Sequence, residues 1–437
     1  MRILVFVDAT SPRLQFILSH ILSEMLGFEV IITQNVNDFD DFLGPKIAYA
    51  KGSFNNAIRV TPHTLLSQSS ISEQSIVISE WRSAPIFFQT SQDADIPFDI
   101  FAASFYLISR YEEYLNYEPD EHGRFKSTNS LAFKSGFLDK PIVDIWVKEL
   151  AKIIRQSYPM VKVYERGFSY IPTIDIDNAY AYQHKGFIRT FLGTSNTLLR
   201  LRFADFFRRV AVLCKFQHDP FDTYNELFQL LTSNPEALWF ILGGQYGKYD
   251  KNIALDAKPM KRLVKQIAEI FQVGIHPSYG SGISQEQVNV ELKLLSQTMG
   301  KNVTASRQHY LRVTFPETYR VLYELGITHD YSMGYSDVVG FRAGTCTPYR
   351  FYDLMEEKVL PLTIVPFQVM DRALLQGLQL NSDQAIEKTL EMAKSVKQVG
   401  GTFVTVWHNE SLSGINEWVG WKKVLAEIVN RINELKP

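Results

Sequence analysis

Asp175 and Asp177 close the run Ser169-Tyr170-Ile171-Pro172-Thr173-Ile174-Asp175-Ile176-Asp177, which reads as a β-strand ending in carboxylates. A period of two puts both carboxylates on one face at the strand's end, where one could bind a metal while the other takes a proton. Taken alone, such a pair is as easily a helix cap or a turn. Three further apolar runs each end in an imidazole: Val273-Gly274-Ile275 before His276, Ala305 shortly before Arg307-Gln308-His309-Tyr310, and Val404-Thr405-Val406-Trp407 before His408-Asn409. A lone histidine closing a strand is most often a satisfied core or surface residue. Three such endings beside an aspartate pair are harder to assign to packing. Carboxylate and neutral imidazole are the ligands of a catalytic zinc that keeps one position open for water.

The elements that must carry these residues follow from the apolar pattern. Short apolar runs at 238–242, 272–275, 303–305, 362–365 and 403–407 alternate with helical stretches such as 260–271, which predicts βα units in a parallel sheet or barrel. Such a fold gathers its chemistry at the C-terminal strand ends. Upstream, residues 2–8 and 28–32 read as strands flanking a helix that opens at Ser11-Pro12, and 98–115 and 141–156 read as amphipathic helices. The pattern lapses around 159–167. The expected organisation is an α/β domain over 1–165 and a second α/β domain over 166–437. No glycine-rich phosphate loop follows the first strand, so packing or substrate gripping suits the first domain better than nucleotide binding.

Composition narrows the function classes. The 437 residues are 46% hydrophobic and 21% charged, enough to bury a substantial core, and 45 basic against 47 acidic residues leave a net charge of −2. No global field favours nucleic acid. Cys214 and Cys346 are too few for a disulfide framework or a thiolate metal site, and a reducing, cytoplasmic setting is expected. The apolar start of the chain is shorter than a secretory segment, and no run approaches membrane-spanning length. Within 187–216, Arg189, Arg200, Arg202, Arg208, Arg209 and Lys215 interleave with apolar residues. That segment could touch a membrane surface or a lipid-linked phosphate, although the solvated charged face of an ordinary helix is the simpler expectation.

From residue 168 to 410 the motifs resemble those of the polysaccharide deacetylases of carbohydrate esterase family 4. Thr173-Ile174-Asp175 with Asp177 looks like the first motif, Ile275-His276-Pro277-Ser278-Tyr279 the second, Arg307-Gln308-His309-Tyr310 the third, and Val406-Trp407-His408 the fifth. Asp371, after Val369-Met370, stands for the remaining one. The resemblance implies a distorted β/α barrel of the NodB-like kind and a divalent metal, most simply Zn2+, acting on an acylated carbohydrate. It implies Asp175 as base oriented by Arg307, Asp177 and His276 as metal ligands, the Tyr310 N–H on the oxyanion, and His408 as an acid kept protonated by Asp371. Two departures stand out. Ile176 separates aspartates that are adjacent in that family, and Gly280 occupies the place of its second metal histidine. His309, where a proline is usual, is the expected replacement ligand, with Ser278 or Tyr279 as alternatives. Tyr279, Trp407 and Arg342, the last in Gly340-Phe341-Arg342-Ala343-Gly344-Thr345, are expected to contact substrate. The stretch 101–125 resembles an accessory domain of deacetylase-like proteins from bacterial surface-polysaccharide systems.

Two other readings compete. Asp175-Ile176-Asp177 is also an Asp-x-Asp sequence that could hold a divalent ion and a sugar nucleotide in a glycosyltransferase, which leaves His276, Arg307 and His408 without roles. Alternatively, the chain could be a non-catalytic glycan-binding relic, for which Gly280 is the supporting feature.

Overall fold

The computed structural model describes residues 1–52, 54–90, 94–282 and 284–436. Four parallel strands, β1 (Arg2–Val7), β2 (Glu29–Thr33), β3 (Lys46–Tyr49) and β4 (Ile58–Val60), form a sheet in the order β2-β1-β3-β4. The helix after β1 is set by Ser11, whose hydroxyl accepts the Leu14 N–H, and by Pro12 at the first helical position. A two-stranded hairpin follows, β5 (Ser79–Trp81) and β6 (Ala84–Ile86). The amphipathic run at 98–115 forms a helix only over Ile100–Ile108, because Arg110 takes a left-handed backbone (φ 54°) and the chain continues as a short 3-10 turn. The helix Ile142–Ser157 begins immediately after Pro141.

A nine-stranded sheet carries the rest of the chain. Its strands are β7 (Ser169–Ile176), β8 (Leu238–Leu242), β9 (Gln272–His276), β10 (Ala305–Ser306), β11 (His329–Asp330), β12 (Tyr349–Asp353), β13 (Lys358–Ile364), β14 (Val369–Met370) and β15 (Thr402–His408). The order is β12-β13-β11-β10-β9-β8-β7-β15-β14, parallel throughout except for β12 against β13. The expected barrel is not closed: among the described residues no ladder joins β14 to the β12–β13 edge. The reason is local. β10, β11 and β14 are two residues long, and the chain between β13 and β14 bonds to loops instead, with the Phe367 N–H on Met333 O (3.0 Å) and the Gly340 N–H on Gln368 O (2.9 Å).

One apolar cluster runs through both sheets, from Val5 and Trp146 to Phe240 and Val406. Across the junction, the Phe16 and Phe105 rings meet Tyr352 at 5.0 and 5.1 Å. Arg13, fully buried, donates from Nε to Glu357 at 3.0 Å. Because the strands beside β7 are parallel, their C-terminal ends share one edge, and the ladder puts His408 opposite Asp175 and His276 opposite Leu242.

Candidate metal centre

Asp175, Asp177, His276, His309 and His408 all line one cavity of about 400 Å³ at that edge. Asp177 lies between three imidazoles: its Oδ1 is 3.2 Å from His276 Nε2, and its Oδ2 is 3.4 Å from His309 Nε2 and 3.6 Å from His408 Nε2. One ligand atom each from Asp177, His276 and His309 falls within 4.8 Å of the others.

The opposite nitrogen of each ring is tethered. His276 Nδ1 lies 2.5 Å from the Arg307 carbonyl, which can only accept, so Nδ1 carries a proton. His309 Nδ1 lies 2.8 Å from Asp250 Oδ1. Such contacts fix the ring tautomer and turn the Nε2 lone pair toward the site, the usual support of a metal-binding histidine. With the His276 proton on Nδ1, Nε2 and Asp177 Oδ1 are two acceptors facing each other. Consistently, Asp177 Oδ1 is buried with no hydrogen-bond partner. A divalent cation satisfies that arrangement, and protons occupy it otherwise. Burial alone would lower the His309 pKa, yet the Asp177 and Asp250 carboxylates raise it to about 9. Burial would raise Asp177, but the His309 and His408 rings hold it well below the usual carboxylate range. Cation binding here must therefore displace protons.

Asp175 is held from the other side. Arg307, fully buried, donates from Nη1 to Asp175 Oδ1 (2.6 Å) and Thr173 Oγ1 (2.7 Å) and from Nε to the Tyr331 carbonyl (2.9 Å), and its guanidinium lies 4.4 Å from the centre of the Phe240 ring. Asp371 follows β14 and meets His408 Nδ1 at 2.9 Å while accepting the His408 and Arg372 backbone N–H groups and the Ser411 hydroxyl. Against its burial, His408 is raised to about 9 by Asp371 and then by Asp177. Tyr310 and Leu311 adopt left-handed backbone (φ 60° and 55°), which costs roughly 1–3 kcal/mol per residue. Arg124 braces that turn by donating to the Tyr310 carbonyl at 2.8 Å.

Three residues expected to contact substrate lie elsewhere. Trp407 is fully buried because it alternates with His408 along β15 and points into the core toward Trp421. Arg342 donates to both oxygens of Glu113 (3.0 and 2.6 Å) and edges a neighbouring cavity. Tyr279 does not line the main cavity; it stacks behind Tyr249, with ring centres 4.0 Å apart, and its backbone N–H donates to Asp250. Ser278, an alternative ligand, gives its hydroxyl to Glu291 at 2.5 Å.

Other cavity residues went unsuspected. Asp250 ends the glycine-rich loop after β8, and a carboxylate following an apolar strand was the available signal. The close approach of that loop requires glycine, since a Cβ on Gly244 would meet the Ser278 Cβ at 2.3 Å. His122 and Arg124 reach the cavity from the N-terminal half, and Arg372 pairs there with Glu410, which burial pushes up. No local pattern announces these four.

Residues 3–159 match a family described as "Family of unknown function (DUF7033)". No curated protein matches the chain. Among solved structures, 62% of the chain aligns with 85% of a putative polysaccharide deacetylase from Mycobacterium smegmatis (16% identity, TM-score 0.41). The same share aligns with 88% of the polysaccharide deacetylase Bc1974 from Bacillus cereus (12% identity, TM-score 0.28). It also aligns with 63% of a mutant of a CE4 family pseudoenzyme with restored enzymatic activity (10% identity, TM-score 0.28).

Proposed function

We propose that the chain is a divalent-metal hydrolase that removes acetyl groups from a carbohydrate, with Asp177, His276 and His309 holding the cation. The observation that carries this reading is the facing of lone pairs between Asp177 Oδ1 and His276 Nε2, beside a His309 ring tethered to Asp250. Two imidazole nitrogens and one carboxylate suit Zn2+ best. When bound, such a cation supplies a Lewis acid for the acyl carbonyl and acidifies a water molecule. Asp175 accepts the proton of the attacking water, and Arg307 aims Asp175 through the 2.6 Å bond. The Tyr310 N–H stabilises the developing oxyanion. His408 gives its proton to the departing amine or alkoxide, held charged by Asp371. The edge-to-face rings of His122, Tyr249 and Tyr310 offer an aromatic wall for the sugar.

The test is acetate release from acetylated oligosaccharides and 4-nitrophenyl acetate by chelator-treated protein with and without added Zn2+. Activity lost on chelation and restored by one equivalent supports the reading; activity unchanged by metal removal rejects it. The glycosyltransferase alternative is disfavoured because Asp175 Oδ1 is already committed to Arg307 and Asp177 is enclosed by imidazoles. It predicts a rise in melting temperature with uridine diphosphate, where the hydrolase predicts none.

His408→Ala is expected to lower kcat by roughly 10²- to 10⁴-fold while metal content stays near that of the parent. Metal lost with the imidazole would move His408 into the coordination shell. Because Asp371 raises the His408 pKa, loss of the acid's proton sets the alkaline limb of the rate profile, and activity falls as pH rises through it. Asp371→Asn should therefore move that limb to lower pH, read from kcat/KM against pH.

A further inference from the structure

The helices Gly186–Leu199 and Phe203–Leu213, inserted between β7 and β8, pack against one another with their apolar sides outward. Phe187, Phe191 and Leu198 recur at spacings of four and seven, and Phe203, Phe207 and Val210 at four and three, so each set occupies one helix face, and all six are exposed. Twelve of the twenty-seven exposed large apolar side chains among the described residues lie in 187–216. Only Thr197 and Val212 are buried within the two helices.

The cationic side chains Arg189 and Arg209 turn inward instead. Arg189 donates to the carbonyls of Lys251 (3.0 Å) and Asn252 (3.2 Å), and the Arg209 guanidinium lies 4.7 Å from the centre of the Tyr182 ring. An ordinary surface helix does the reverse, burying its apolar stripe and showing its charges. Exposed cations and exposed apolar stripes thus occur together, which the solvated charged face expected from the sequence does not by itself account for.

The charge of the segment identifies what covers it. Residues 187–216 hold six cations against Asp205 alone, a net of +5 in a chain of net −2. Asp205 engages Arg202 and Arg208. Arg200 and Lys215 are exposed with no ion-pair partner among the described residues, and at the tip Leu199 and Leu201 alternate with Arg200 and Arg202. A second copy of the chain would bring +5 against +5. An anionic lipid surface supplies both the negative field and the apolar layer.

We propose that the 187–216 hairpin docks the protein on an anionic phospholipid bilayer, its apolar faces in the interface and Arg200, Arg202 and Lys215 among the headgroups. It lies on the surface rather than crossing, since no helix among the described residues is long and apolar enough to span. The site mouth comes with it. Lys251, whose carbonyl receives Arg189, lines the catalytic cavity, as does Asn178, whose side chain accepts from Lys185 Nζ at 3.0 Å.

The test is vesicle flotation of the full chain. It should float with vesicles containing phosphatidylglycerol, stay behind with phosphatidylcholine alone, and be released by roughly 0.5 M sodium chloride, where screening shortens to a few ångströms. Arg200→Gln with Arg202→Gln should weaken partition about thirtyfold. Phe187→Ser with Phe191→Ser should weaken it at least roughly tenfold. These side chains are exposed, so the melting temperature should hold, and the comparison of the two lipids in the unaltered chain decides even if a variant misfolds. Failure to float with phosphatidylglycerol overturns the proposal, whether sedimentation velocity then shows a monomer or a dimer broken by Phe187→Ser with Phe191→Ser. Equal flotation with both lipids overturns the charge assignment and the proposal with it.

Discussion

His309→Ala is expected to lose bound Zn2+ and acetate release together. Asp177 and His276 would be left as two protein ligands where a catalytic zinc ordinarily has three. The Lewis-acid contribution of the cation is several kcal/mol, so its loss lowers turnover by on the order of 10³-fold or more. Two companion variants separate ligand from support. Asp250→Asn keeps the His309 ring but weakens its anchor, so metal affinity should fall only about 10- to 100-fold, with activity restored by excess Zn2+. Ser278→Ala should leave metal content intact, because that hydroxyl belongs to Glu291. Elemental analysis of dialysed protein reads all three. Stoichiometric zinc in His309→Ala would overturn the ligand assignment.

Arg342→Ala should act on folding rather than on substrate affinity. Arg342 and Arg110 share Glu113 in a fully enclosed cluster: Arg342 Nη2 lies 2.6 Å and Arg110 Nε 2.8 Å from its oxygens, and Arg110 also donates to the Arg342 carbonyl. Burial would raise the Glu113 pKa, but the two guanidinium groups hold it below its ordinary value. Removing one partner strands charge in the interior, a loss of about 3–5 kcal/mol. The cluster also joins the helix Ile100–Ile108 region to the loop after β11, so the damage should reach both halves of the chain. A melting temperature lowered by several degrees with KM unchanged in the surviving folded fraction is the expected result. A raised KM at parental stability would return Arg342 to the substrate site.

These outcomes follow a division between what short-range pattern records and what it does not. The sequence by itself determined β7, β8, β9, β13 and β15 and the polar residues at the ends of β7, β9 and β15, because short apolar runs between helical stretches permit few other arrangements. The alternation of side chains along β7 and the shared direction of β7, β9 and β15 then brought Asp175, Asp177, His276 and His408 to one sheet edge. His309 was legible as the imidazole that follows the apolar run at 303–305, although it stands in the turn three residues past β10. The tertiary structure alone decided the rest. The sheet stays open because β14, two residues long, pairs with β15 and, among the described residues, with no strand on its other side. Arg342 reads as a loop cation until its partner, 229 residues earlier, is known. Long separation in sequence likewise hid His122 and Arg124 from the cavity they border, and the hairpin's outward apolar face depends on which side meets Lys251 and Tyr182. A charge or an apolar stripe is written in the sequence, but its energy depends on what stands opposite, and the fold supplies that.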